Sequence, residues 1–155
     1  MAVLTTALIF TAVELVKPTA IKIIKLPEAH WGPTWIKGWI STPNKEEFSF
    51  SFGKEQKWDP SWGELVDFNL IAKRKMELAR RLKMDTKVAA AYPWLLEPGD
   101  YLYPGGVYRQ GIAVGCSGIV GHADEGLAAL VADTIIMLAQ LKTGQLIAAD
   151  RMRIE

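Results

Sequence analysis

Residues 104–125, Pro-Gly-Gly-Val-Tyr-Arg-Gln-Gly-Ile-Ala-Val-Gly-Cys-Ser-Gly-Ile-Val-Gly-His-Ala-Asp-Glu, constrain the fold more than any other stretch of the chain. A glycine pair opens a short strand that runs to about Arg109, and Gln110-Gly111 is the turn candidate into a second strand over 112–117. That second run is small and apolar, which suits a buried strand. Ser117-Gly118 with Gly121 then takes the backbone through conformations that cost a side chain dearly. Asp124 and Glu125 follow where a helix begins. The free N–H groups and positive macrodipole end of that helix meet the mouth of the turn, where a small anionic group can be held.

A chain of 155 residues is expected to form one domain over 1–155 and to bury a real core. Half the residues are hydrophobic and the formal net charge is +1, so composition argues against disorder and against an electrostatic nucleic-acid surface. Cys116 is the only cysteine, which excludes an intramolecular disulfide and a multi-cysteine metal site. It fits a reducing compartment, so the expected location is the cytoplasm. Residues 2–16 are apolar, but they lack a basic leader, carry Glu14 and stop at Lys17-Pro18, short of the ~20 residues that a span requires. No membrane partner is expected.

Apolar residues at helical spacing predict a helix over about 3–16, closed by Lys17-Pro18, and residues 20–26 read as a short strand. Residues 35–41 and 47–53 predict an antiparallel hairpin. In its second strand Phe48, Phe50 and Phe52 face one way and Ser49 and Ser51 the other. After the Trp58–Gly63 loop a helix is expected, with Glu64 and Asp67 in its first turns and Leu65, Phe68, Ala72, Met76 and Ala79 as its buried stripe. Its six cations, Lys73, Arg74, Lys75, Arg80, Arg81 and Lys83, read as a solvated face. Lys73, at the edge of the stripe, is the exception that can present its ammonium to a pocket. Residues 85–103 form a loop long enough to suggest a functional or covering role. A last amphipathic helix carries Leu127, Leu130, Val131, Thr134, Ile135, Leu138 and Leu141, and Thr143-Gly144 is expected to end it.

Two blocks of this sequence resemble the GlcG/HbpS-like family, which includes haem-degrading or haem-binding domains and the C-terminal domain of PduO-type proteins. The first is Asp67-Phe68-Asn69-Leu70-Ile71-Ala72-Lys73 with Met76–Ala79 and Asp85-Thr86. The second is Pro104–Tyr108, Gly111–Gly118 and Asp124-Glu125. The order of elements read from the residues supports an α+β sandwich. The resemblance implies a profilin-like α/β (α+β) fold, an antiparallel sheet flanked by helices, assembled as a homo-oligomer that binds haem or a related tetrapyrrole. Tyr108 stands where the family commonly has proline.

His30 and His122 are the only histidines, and no spacing joins either to another metal ligand. For haem, either histidine, Tyr101, Tyr103 or Tyr108 can serve as an axial ligand. Cys116 has no basic neighbour in sequence to activate it and reads as a buried inert thiol. Gly-Cys-Ser-Gly around Ser117 has neither the spacing of a nucleophile elbow nor that of a P-loop. The expected ligand site is Lys73, Tyr103, Gly105, Gly106, Ser117, Gly118 and His122, taking a small anionic ligand whose carboxylate or propionate pairs with the Lys73 ammonium. Two other readings of the chain are a non-catalytic homo-oligomeric assembly module, its tryptophans buried by partners, and an enzyme acting on small carboxylates.

Overall fold

The computed structural model describes residues 3–149. Helix α1 (Thr6–Ile24) begins on the Thr5 hydroxyl, which accepts the N–H of Leu8 at 3.1 Å. It does not stop at Lys17-Pro18, and the strand expected over 20–26 is largely its last two turns. The reason lies in the buried stripe. Ile9, Val13, Val16, Ala20 and Ile24 keep the helical period straight through the proline, which sits on the exposed side. An internal proline costs about 3 kcal/mol. Burying an aliphatic side chain the size of Ile24 returns roughly 1.5–3 kcal/mol, which offsets most of that cost.

Strands β1 (Ile36–Ser41) and β2 (Glu47–Phe52) form the expected hairpin. Strands β3 (Gly106–Arg109) and β4 (Ile112–Ser117) form the second, with Arg109 opposite Ile112. Gln110 and Gly111 both have positive φ, 51° and 87°, as a two-residue hairpin turn requires. The four strands make one antiparallel sheet in the order β2-β1-β4-β3. On one face Ile36, Ile40, Phe50, Phe52, Val107, Val114 and Cys116 pack against α1 and α4 (Gly121–Ala148). On the other lies α2 (Phe68–Leu82), and beyond it the single turn α3 (Thr86–Ala89). This is an α+β architecture.

Two further helix limits differ from the sequence reading. α2 starts at Phe68 because the Asp67 carboxylate takes the N–H of Leu70 at 3.0 Å and caps it. Glu64 to Val66 therefore lie outside the helix, and Leu65 is exposed instead of belonging to the stripe. α4 continues through Gly144 to Ala148, its last turns held by the buried Leu146, at the ~1 kcal/mol that an internal glycine costs. By length and composition α4 is apolar enough to span a bilayer. Leu127, Val131 and Ile135 are in the core, whereas Met137, Leu141 and Ile147 are exposed.

Helix α2 packs closely on the sheet, backbone against backbone. Trp39, Gly115 and Gly106 stand side by side in one row of β1, β4 and β3. A Cβ on Gly115 would collide with the carbonyl of Ala72, and one on Gly106 with the carbonyl of Lys75. Gly118, after β4, has φ of 146°, and a Cβ there would run into the carbonyl of Trp35. Gly106→Ala and Gly118→Ala are each expected to destabilise by more than the ~1 kcal/mol glycine ordinarily costs in a regular element. Urea unfolding checks this, and an unchanged or raised stability in either variant would contradict the packing described.

Candidate functional site

At the end of the sheet where β4 finishes, four segments leave a cleft of about 860 Å³ between them. They are the approach to α2 with its first turns, the stretch 101–104, the turn 117–121 with the start of α4, and Trp31. Each is placed by packing already described. The Asp67 cap fixes the start of α2, and the N–H of Val120 bonds the carbonyl of Ala29 at 2.7 Å, tying the turn to the segment that carries Trp31. Trp31 and Phe68 meet edge to face at 6.2 Å between centroids, and Trp35, Trp58 and Trp62 extend the same aromatic cluster behind them.

The floor of the cleft is a buried ion pair. Lys75, on α2, and Asp124, in the first turn of α4, have side chains only 3% and 2% exposed, with Nζ 3.5 Å from Oδ2. Lys75 Nζ also donates to the carbonyl of Cys116 at 3.1 Å, and Asp124 Oδ1 accepts the N–H of Ile119 at 3.2 Å. Room for the ammonium comes from Gly105, where a Cβ would lie 2.6 Å from Nζ. Burial lifts the Asp124 carboxyl to about 7, against the opposing pull of Lys75 and of the N–H groups of Ile119 and Gly118. Burial, reinforced by the Asp124 charge, holds the Cys116 thiol well above its ordinary range, so it is an inert core group.

The residues expected from sequence fall in three places. Tyr103, Ser117, Gly118 and His122 border the cleft, with Tyr103 and His122 exposed at its edge. Gly105 and Gly106 lie behind the floor, where their N–H groups donate to Thr86 Oγ1 at 3.1 and 3.0 Å. That hydroxyl in turn donates to the buried Glu125 carboxylate at 3.1 Å. Lys73 is elsewhere: its ammonium sits 4.9 Å from the centre of the Trp39 ring and 3.6 Å from Glu47. Lys75 occupies the position expected of Lys73, two residues on. It lies three after Ala72 and four before Ala79, on the buried face, so a cation in an apolar stripe was the available signal. Of the other haem-ligand candidates, Tyr101 lines the cleft, whereas His30 and Tyr108 do not. Tyr108 packs instead against the Met76, Ala79 and Ala113 cluster under α2.

Three solved structures share this arrangement of elements. The chain has the fold of HbpS. The match to HbpS covers 86% of this chain and 90% of that one, with a TM-score of 0.56 and 18% identity. The Klebsiella pneumoniae protein ORFY, of the DUF336 family, matches over 85% of this chain and 90% of its own at a TM-score of 0.55 and 19% identity. A double mutant of Streptomyces reticuli HbpS matches at 0.53 and 19% identity, over 86% and 87% of the two chains. No protein-family model matches the sequence, and no curated protein does.

The raised Asp124 carboxyl has a consequence for stability. The folded state holds this proton more tightly than the unfolded chain, so the group favours folding fully below the ordinary carboxylate range and loses that contribution as pH rises toward about 7. In chemical denaturation at pH 5 and pH 8, the stability difference between wild type and Asp124→Asn is expected to shift against wild type by about 2–3 kcal/mol over that interval. A difference independent of pH would contradict the burial of an ionisable Asp124.

Proposed function

We propose that this chain is a GlcG/HbpS-like small-molecule-binding domain whose ligand occupies the cleft, with haem or a related tetrapyrrole as the leading ligand. The observation that carries the reading is the cleft itself: a space of about 860 Å³ with Trp31, Phe68, Ile71 and Ile119 on its walls and His122, Tyr101 and Tyr103 at its border. Mostly apolar walls with a few convergent polar groups are what a small-molecule site needs. The likeness to HbpS and ORFY supports it, and so do the sequence blocks at Pro104–Tyr108 and Gly111–Gly118, which supply part of the lining and the glycines behind it.

The donor set fits haem. Imidazole and phenolate both ligate haem iron, and His122, Tyr101 and Tyr103 are the groups of those types on the lining. Trp31, Phe68 and Ile71 would face the macrocycle. Bound haem would supply an iron centre whose reactivity is set by its axial ligand and by the polarity of the pocket. The chain's own part is to hold the ring against apolar walls, out of water, and to offer a ligand to iron. Titration with hemin is expected to give a Soret band saturating at one haem per chain, with the band shifted or weakened in His122→Ala or Tyr103→Phe. No saturable Soret change in wild type would remove the tetrapyrrole reading.

Self-assembly is the second reading, favoured by the exposed apolar surface. Leu65, Trp94, Leu102 and Tyr103 are 63–79% exposed, and Met137, Leu141 and Ile147 are 50–60% exposed on the outer side of α4. Subunit interfaces bury large apolar side chains of this kind, and aromatic residues are enriched there. Light scattering at micromolar concentration is expected to give a multiple of 17.2 kDa. A stable species of 17.2 kDa would contradict it.

A further inference from the structure

Lys75 has a hydrogen bond to spare. An ammonium carries three N–H groups, and its acceptors among the described residues are two, the carbonyl of Cys116 at 3.1 Å and Asp124 Oδ2 at 3.5 Å. The side chain is 97% withdrawn from solvent, its exposure being 3%, yet it borders the cleft. The same floor receives the start of α4. Val120 at the N-cap contributes no side-chain acceptor, and the first helical N–H groups, those of Gly121 and His122, have no acceptor among the described residues. The nearby Asp124 carboxylate does not serve them: its partners are the N–H of Ile119 and Lys75 Nζ. A buried ammonium with an unused donor and two unused helix N–H groups therefore border one cavity, an arrangement that calls for an oxyanion.

We propose that the floor of the cleft is a carboxylate subsite, in which Lys75 Nζ and the N–H groups of Gly121 and His122 hold the carboxylate of a flat, apolar monocarboxylic acid whose body lies against Trp31, Phe68 and Tyr101. Charge selects the monoanion. Asp124 already balances Lys75, and Glu64 and Asp67 add negative charge at the border, so an anion is held only locally, by the spare Lys75 N–H and the half charge of the helix end, and every further negative charge on it is opposed. A phosphate dianion meets that opposition with twice the charge, whereas a monocarboxylate keeps it smallest. The wall selects the rest of the ligand, because an aromatic body buries its faces on Trp31 and Phe68 while the acid group reaches the floor. The subsite rests on the reading of the cleft as the ligand site, but it does not require iron.

The test uses 1-naphthoate, 1-naphthamide and 1-naphthyl phosphate as probes of the whole chain, with affinities read by isothermal titration calorimetry. The acid is expected to bind wild type at least about tenfold more tightly than the amide, as a charge-assisted hydrogen bond implies, and the phosphate no more tightly than the amide. In Lys75→Met the preference for acid over amide is expected to fall close to one. If that variant does not fold, Lys75→Met combined with Asp124→Leu removes both charges together and carries the same expectation. Equal affinities of wild type for acid and amide, binding by none of the three probes, or an acid preference that survives loss of Lys75 would each overturn the subsite. Hemin titration separates this result from the broader reading: a saturable Soret band with no acid preference leaves haem binding and removes the carboxylate floor, and an acid preference with no Soret band does the reverse.

Discussion

The contact between α2 and the sheet, backbone against backbone, is the constraint from which the rest of the molecule follows. Gly115 and Gly106 stand opposite one another in β4 and β3, under the carbonyls of Ala72 and Lys75. With side chains at those positions the helix would have to stand off. The Lys75 ammonium would then no longer reach the Cys116 carbonyl, one residue past the last pair of β3 with β4, nor Asp124 on α4. The glycines thus do more than turn the chain; they set the distance at which two helices on opposite faces of one sheet join through a single pair of charges.

That pair is costly to bury and correspondingly informative. A lysine and an aspartate almost wholly withdrawn from water each lose hydration worth several kcal/mol, and their mutual attraction recovers it only when further hydrogen bonds complete the arrangement. Asp124 has such bonds, from Ile119 and Gly118, whereas Lys75 has one carbonyl and a longer contact to the carboxylate. An apolar pair of similar volume would hold the two helices at less cost. The charges border a cleft with aromatic walls, which gives them a use that packing alone does not. Glu125 makes the contrast clear: equally part of the first turns of α4 and also buried, it is taken up by Thr86 and the N–H of Lys87 and does not line the cleft.

Much of the fold was legible because it rests on local chemistry. The alternation of phenylalanine and serine over 48–52, the Gln110-Gly111 turn and the small residues of β4 each specify an extended chain on their own. The errors came where tertiary burial overrides a local stop. Pro18 and Gly144 both read as helix ends, and both are passed because Ala20, Ile24 and Leu146 beyond them have a core to enter. At the cleft, the glycines and the turn before α4 were readable from their punctuation, and His122 and Tyr103 from proximity to it. Lys75 was missed because six cations on one helix resemble a solvated face, and only its coincidence with the Phe68, Ala72 and Ala79 stripe distinguishes it. Asp124 carries the matching sign, three and four residues before the buried Leu127 and Ala128. Opposite charges on two buried stripes are a pairing that becomes visible once helix faces, instead of helix compositions, are compared.

A double-mutant cycle on Lys75 and Asp124 tests this account most directly, with unfolding free energies measured for wild type, Lys75→Met, Asp124→Leu and the two together at pH 8. Each single change leaves a buried charge without its partner and is predicted to cost about 3–5 kcal/mol, and the double variant is predicted to be more stable than either single one. Additive losses, with the double variant the least stable of the four, would mean that the two charges do not meet across the sheet.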